Sequence, residues 1–327
     1  MTQGLAGAAF AQAGARRGST RAAFVIGAIG GMAPDLDVLI RSSGDPLLGL
    51  MMHRHFTHAL LFAPVGALLT ALIVWAAWRR ITFARVYLYS LLGWLSHGLL
   101  DTFTSYGTHW FWPLDDGRIS HDWISIIDPL VTLPVFVLLL VAFWTRRPRW
   151  AWLAIGWCAI YLVFGGIQHA RALEAQRQLA ESRGHEVSKG RVMPSLGNLL
   201  AWRSVYLHSN TFQTDALRVA PGGEVQFRAG GAVPEFVLPP GLEDSVLAHD
   251  VARFALFADA YLGVLARDGE RVRIGDLRYG SPPEAAGSLW GISADLSEPD
   301  QHVRMIGWGG PDAERRERLW EFITEED

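Results

Sequence analysis

The first 170 residues of this 327-residue chain contain no glutamate and no lysine; every acidic side chain there is an aspartate (Asp35, Asp37, Asp45, Asp101, Asp115, Asp116, Asp122, Asp128) and every basic one an arginine. From Arg171 onward glutamate becomes common and the long apolar runs stop, the profile of a water-soluble domain. The chain has one cysteine, Cys158, inside an apolar run, which excludes an internal disulfide framework but not an extracytoplasmic location. No Lys/Arg-rich block occurs, which argues against nucleic acid as a partner. No positive region precedes the first apolar stretch, Leu5–Ala15; Arg16 and Arg17 follow it, so it does not read as a signal peptide of the usual kind. It reads as a short first helix that spans or only dips in.

What is present divides the chain in two. Ten of the fourteen tryptophans fall before Ala170, as expected for residues that favour a membrane interface. The first 170 residues carry twelve arginines against eight aspartates, a balance of +4, and the remainder carries 17 basic against 24 acidic side chains, −7. Four segments have the roughly 20 apolar residues a helix needs to cross a bilayer: Ala22–Ile40, His58–Trp78, Ile81–Leu100 and Ile126–Trp144, with Trp150–Ile167 close behind. Short cytoplasmic loops carry the excess of arginine, which assigns Arg16, Arg17 and Arg21, then Arg79, Arg80 and Arg85, then Arg146, Arg147 and Arg149 to that side. The Asp35–His58 and Asp101–Asp128 connections, the start of the chain and everything after Ile167 then face outward. The expected architecture is a multi-spanning α-helical membrane domain over 1–170, carrying a metal site, followed by a soluble α+β domain over 171–327 on the outer (periplasmic) side.

The polar residues of the first part gather at one depth. His97 lies roughly 18 Å along its helix from Arg85, at about 1.5 Å per residue, and Asp101 follows it by four, on the same face. Pro34 begins a Pro-Asp-Leu-Asp corner that ends a helix and presents Asp35 and Asp37. "HRHFTH" adds His53, His55 and His58 as nitrogen donors. Mixed nitrogen and oxygen ligands suit zinc or another transition metal better than calcium or magnesium, and the number of carboxylates also allows two ions. Taken singly, each residue is equally well an interfacial histidine or a helix cap; together, ionisable groups at membrane depth are costly and tend to be functional. Arg54 suits a substrate phosphate or carboxylate through its planar fork, or else a lipid phosphate. His55 points away from His53 and His58 in most local conformations. In the following loop His121, Asp122 and Asp128 can bend back over the site, Asp128 before Pro129 reads equally as an N-cap, and His109 reads as interfacial.

The combination "PDLD" (34–37), "HRHFTHALLF" (53–62), "SHGLLDTFTSYGT" (96–108), "IIDPLVTLP" (126–134), "MPSLGNLLAWRSV" (193–205) and "DLRYG" (276–280) resembles the YdjM-like inner-membrane proteins, membrane-bound and predicted to be metal-dependent hydrolases. The resemblance implies a bacterial inner-membrane protein with a divalent-metal hydrolase site whose ligand candidates are Asp35, Asp37, His53, His58, His97 and Asp101. Many relatives begin with a Thr-His pair; here Gln3 stands in place of that histidine. A helical His-x-x-x-Asp beside a second His and Asp pair is also similar, more distantly, to zinc-dependent phospholipases C and nucleases, which points to phosphoesters.

The expected function is a metal-dependent hydrolase, with zinc as cofactor, acting on a small-molecule or lipid substrate at head-group depth in the bilayer. Asp35 and Asp101 are the candidate proton acceptors and Arg54 the candidate substrate anchor. The alternatives are an ion or proton-coupled transporter and a non-catalytic metal-binding membrane or stress protein. In the second part, "QHARALEAQRQLAESRG" reads as a helix, and "SVLAHDVARFALFADAYLGVL" has helical spacing. The stretches "WRSVYLHSNTFQTDALRV", "EVQFRAG", "RVRIGDLRYG" and "HVRMIGWG" read as strands of an antiparallel sheet, and no cluster there reads as catalytic.

Overall fold

The computed structural model describes residues 2–307 and 313–324. The chain forms two compact units: Met1–Ile40, Met52–Gly166 and Leu196–Asn198 in the first, and Arg41–Met51, Ile167–Ser195 and Leu199–Asp327 in the second.

The first unit is helical. Its elements are α1 (Thr2–Ala13), α2 (Thr20–Met32), α4 (Ala63–Ala77), α5 (Phe83–Thr102), α6 (Pro129–Thr145) and the start of α7 (Arg149–Ser182); the short α3 (Leu48–Met52) precedes α4. Among the described residues, two helical stretches are long and apolar enough to cross a membrane, Arg17–Leu39 and Arg149–Ser182. A third is reached if Leu48–His58 and Ala63–Ala77, bent by 90°, count as one broken span. This is fewer than the five expected crossings. The segment expected as Ile81–Leu100 is a 20-residue helix, but Arg85, His97 and the serines between them dilute its apolar character. The segment expected to run unbroken from His58 starts its helix only at Ala63: the amide of Leu60 donates outside any helix, to Trp110 O at 2.9 Å, and Pro64 opens α4, where a missing N–H leaves nothing unsatisfied.

Side-chain size is sorted inside out. Ala8, Ala11, Ala67, Ala71, Ala142, Ala151 and Ala154 are buried, whereas Ile73, Leu133, Val137, Trp152 and Ile160 are exposed. Large apolar side chains facing outward over small ones facing inward are expected where the surrounding medium is lipid, because there close packing rather than hydrophobic burial holds helices together.

The tightest packing joins α1, α2 and α5. A Cβ at Gly93 of α5 would lie 2.6 Å from Gly27 O of α2, and one at Gly27 would collide with Gly7 O of α1. Only glycine permits three backbones to approach this closely. Trp94 crosses to α4, its indole N–H donating to Thr70 Oγ1 at 3.0 Å, whose hydroxyl donates to Gly66 O at 2.9 Å. α6 begins as its sequence predicts: Asp128 is the N-cap, accepting from Leu130 N at 3.0 Å, with Pro129 in the first turn. Pro134 inside α6 lacks the N–H that would serve Leu130 O, and the indole of Trp157 donates to that carbonyl at 3.1 Å instead.

The second unit has two four-stranded antiparallel sheets in place of the single sheet expected. The first orders β1 (Lys189–Pro194), β2 (Ala201–His208), β3 (Thr211–Val219) and β4 (Val225–Pro234); the second orders β5 (Leu262–Asp268), β6 (Arg271–Asp276), β7 (Trp290–Asp295) and β8 (Arg304–Gly307). The helix expected across 245–265 stops as α8 (Val246–Phe257), capped by Ser245. Asp259 and Ala260 then take left-handed backbone, and the alternating Leu262 and Val264 continue as β5; the apolar spacing there fits either element. A last helix, α9 (Ala313–Thr324), was not anticipated, and Trp308 and Gly309 of the last expected strand lie outside the described residues.

Arg203 of β2 is the buried anchor of this unit. It donates to Leu277 O (2.8 Å), Pro283 O (2.6 Å), Ala285 O (2.9 Å) and Gly287 O (3.2 Å), and burial pulls its pKa down to about 10. Asp45 accepts from both terminal nitrogens of Arg253 at 2.9 and 2.8 Å, which holds its carboxyl below the usual carboxylate range. This pair joins the Arg41–Met51 segment to α8.

Two substitutions test these constraints. Gly93→Leu should cost more than about 3 kcal/mol by forcing helices apart, whereas Gly156→Leu, where a Cβ meets nothing within 4 Å, should leave the melting temperature of the detergent-solubilised chain within a few degrees; equal melting of the two variants would refute the close approach. Arg203→Met strands four buried carbonyls and should cost at least about 3 kcal/mol in denaturant unfolding; a loss under about 1 kcal/mol would show that they find other donors.

Candidate metal centre

Three segments of the first unit supply the polar cluster. After α2 the chain enters a 3-10 turn, Pro34–Leu39, which presents Asp35 and Asp37. A second 3-10 turn, Phe56–His58, presents His58, and α5 supplies His97 and Asp101 near its C-terminus.

The two buried imidazoles meet edge to edge. His97 Nδ1 lies 2.7 Å from Gly31 O; a carbonyl only accepts, so Nδ1 carries a proton and, in the neutral ring, Nε2 keeps its lone pair. The hydroxyl of Thr57 donates to Asp37 Oδ2 at 2.7 Å, and its oxygen lies 2.9 Å from His58 Nδ1. That oxygen therefore accepts from Nδ1–H, and His58 Nε2 is also left with its lone pair. The two Nε2 atoms are 2.8 Å apart. Asp101 Oδ2 lies 3.4 Å from His58 Nε2 and 3.3 Å from His97 Nε2, and Asp35 Oδ1 lies 3.5 Å from each. Asp101 Oδ2 is buried without a hydrogen-bond partner.

This donor set fits a cation. Two imidazole nitrogens flanked on both sides by carboxylate oxygens form an electron-rich set that positive charge stabilises. Ligands about 2.0–2.2 Å from zinc stand roughly 3.4 Å apart at the corners of a tetrahedron; the four nitrogen–oxygen separations here are close to that, and the nitrogen–nitrogen edge, at 2.8 Å, is shorter. Asp35, His58 and His97 form a group that could hold a metal ion. The side chain of Asp35 is 40% exposed and those of His58, His97 and Asp101 are enclosed, so the centre opens on the Asp35 side.

The remaining expected residues stand behind these four. Asp37 does not face the convergence point: it accepts from His53 Nδ1 (2.7 Å), Arg54 N (2.9 Å) and Thr57, and thereby orients His58. His53 gives its Nδ1 to Asp37, and its ring meets that of His58 edge to face with centroids 6.0 Å apart. Arg54 places Nε 3.3 Å from Asp101 Oδ2, donates to Thr104 Oγ1 at 3.1 Å and packs over the Tyr106 ring at 5.1 Å; its charge balances Asp101. Gln3 donates to Asp101 Oδ1 at 3.1 Å and leaves Oδ2 aimed inward. His121 packs between Phe103 and Trp123 and Asp128 caps α6; neither joins the cluster.

Two contributors are absent from the sequence reading. Thr57 sits between recognised residues in "HFTH", where only its adjacency to His58 hints at a role. The carbonyl of Gly31 is a backbone atom and leaves no mark in the sequence.

Outside the cluster, Arg54 takes left-handed backbone, φ 61°, which turns His55 away toward His109 and Asp116. Burial, with the nearby charges of Arg118 and His55, pulls His109 down to about 4.

The comparisons with known proteins agree with the helical unit. The inner membrane protein YbcI of Escherichia coli is 38% identical over 99 residues, 30% of this chain and 57% of YbcI, so the chain spans a little over half the length of that relative. The uncharacterized protein YfhP of Bacillus subtilis is 22% identical over 260 residues, 77% of this chain and 76% of YfhP. No solved structure matches. The model of the YdjM inner membrane protein family matches residues 1–172, the part that carries every residue of the cluster, and the chain belongs to that family.

Proposed function

We propose that the protein is a membrane-embedded hydrolase that holds a divalent metal, zinc by the chemistry of its donors, with His58, His97, Asp35 and Asp101, and acts on a lipid or lipid-linked phosphoester at head-group depth. The observation that carries this reading is the pair of Nε2 atoms 2.8 Å apart with two carboxylate oxygens beside them. A divalent ion so held supplies Lewis acidity and lowers the pKa of water within its reach.

The chain's own groups divide the remaining work. Asp35, the one solvent-reaching carboxylate of the four, is placed to accept a proton from water, whereas Asp101 is enclosed and serves to hold charge. Asp37, with Thr57 and His53, fixes the tautomer and tilt of His58, as the Gly31 carbonyl does for His97. Arg54 fixes Asp101 from behind and sets a positive charge beside the site where a phosphoryl oxygen would gain negative charge. The gathering of the polar groups at one depth, with no charged side chain in α4 or α6, favours a hydrolase over a transporter. The arginine clusters support an orientation with the centre and the second unit on the outer side of the inner membrane.

Elemental analysis of full-length protein in detergent tests the ligand assignment. His97→Ala with Asp101→Ala should remove the tightly held ion, and unchanged metal content would sink it. Asp37→Asn should weaken metal binding by about 10–100-fold without abolishing it, read by competition with a chelator; a loss equal to that of His97→Ala would make Asp37 a ligand. Against a panel of phosphodiesters and phospholipids, Asp35→Asn should lower kcat by about a hundredfold or more; a wild-type protein that binds metal and turns over none of the panel would point to a non-catalytic metal protein.

A further inference from the structure

The outward face of the second sheet carries arginines that its own carboxylates do not balance. Strand alternation buries Val272, Ile274, Ile292 and Ala294 on one face, so Arg271, Arg273, Ser293, Asp295 and Arg304 share the other. Arg273 stands opposite Ser293, and Ser293 stands opposite Arg304. Cross-strand neighbours lie about 5 Å apart at Cβ, which sets two guanidinium side chains on either side of one hydroxyl. The third arginine is already engaged: Arg271 meets Asp295 at 3.1 Å, and Asp295 also accepts from Ser297 Oγ at 2.6 Å. Among the described residues, neither Arg273 nor Arg304 has a hydrogen-bond or ion-pair partner.

These side chains line a cleft of about 420 Å³ over β6, β7 and β8, and His302, just before β8, lines it with them. His302 is fixed from the interior. Its Nδ1 lies 2.8 Å from Oδ2 of Asp250, a fully buried residue of α8 that also accepts from Val303 N at 3.2 Å. A carboxylate accepts, so Nδ1 carries a proton toward Asp250 and Nε2 is the ring edge left for the cleft.

We propose that this cleft binds a phosphoryl group, the anionic end of a phosphomonoester, between Arg273 and Arg304, with Ser293 Oγ and His302 Nε2 completing its hydrogen bonds. Like charges side by side on one face of a sheet are unfavourable, and an anion between them removes that cost. Guanidinium forks match phosphate oxygens in pairs. Across the lining, three arginines against Asp295 and Glu298 leave a charge of +1; with Arg271 and Asp295 neutralising one another, the excess sits at Arg273 and Arg304. Glu298 on the same cleft disfavours a second anionic group on the ligand. The volume falls within the range of small-molecule clefts, enough for a phosphate with a short organic part. Every residue of the site belongs to the second unit, so it rests neither on the metal centre nor on the hydrolase reading.

Calorimetric titration of the full-length detergent-solubilised protein tests the cleft with two probes: glycerol 3-phosphate in solution, and dioctanoyl phosphatidate added to the micelles. Arg273→Gln and Arg304→Gln, both exposed changes, should each weaken binding about tenfold or more. Arg267→Gln, an exposed arginine of β5 outside the cleft, should leave it unchanged, as should His97→Ala with Asp101→Ala at the metal centre. Arginine-dependent binding of phosphatidate alone would identify the source as a lipid head group, and of glycerol 3-phosphate as a soluble ester; either sustains the proposal. Binding of neither probe, affinity undiminished in both Arg273→Gln and Arg304→Gln, or acetate held as tightly as the phosphate ester would overturn it.

Discussion

The candidate centre depends on how closely three helices approach. α1, α2 and α5 touch backbone to backbone at Gly7, Gly27 and Gly93, and this contact places the Gly31 carbonyl against His97 Nδ1 and Gln3 against Asp101. A side chain of even one carbon at these positions would push α5 away by more than the length tolerance of a hydrogen bond. In a surrounding of lipid, no hydrophobic force pulls helices together, so tight van der Waals contact and interhelical hydrogen bonds must do so. The same glycines that hold the bundle therefore also fix which nitrogen of His97 is free.

The segment "HRHFTH" distributes its residues by backbone geometry. Left-handed backbone at Arg54 costs about 1 kcal/mol for a residue with a side chain, and several bonds hold it there: its amide to Asp37, its carbonyl to His109 and Thr108, its guanidinium to Thr104. The turn lets His53 support Asp37 and Arg54 face Asp101 while His55 looks outward. His58 follows in a 3-10 turn, not an α-helix, which brings its Nε2 to that of His97. Four consecutive-looking polar residues thus occupy four different environments.

The chain between Asp37 and His53 is not a free loop. Its Arg41–Met51 portion packs as part of the second unit, where Asp45 is held by both terminal nitrogens of Arg253. The second unit is in turn tied internally by the enclosed guanidinium of Arg203.

Composition by itself distinguished an apolar, helix-forming first part from a more polar second part, because the absence of Glu and Lys before Arg171 is a local property; that Arg41–Met51 packs with the second unit was not legible in it. The helical spacing of His97 and Asp101 and the capping by Asp128 were legible for the same reason: each depends on neighbours within a turn. The sequence pattern indicated more long apolar spans than the described residues contain, since it does not separate a helix facing lipid from α5, whose Ser90, Ser96, His97 and Asp101 are buried. It also missed the α8–β5 boundary, where apolar spacing fits both elements. Only the tertiary structure decided which of six candidate ligands face one another. Asp37 and His53 share the chemistry of Asp35 and His58, and what separates them is direction: a left-handed residue and two short turns aim one pair at the convergence point and the other at its back.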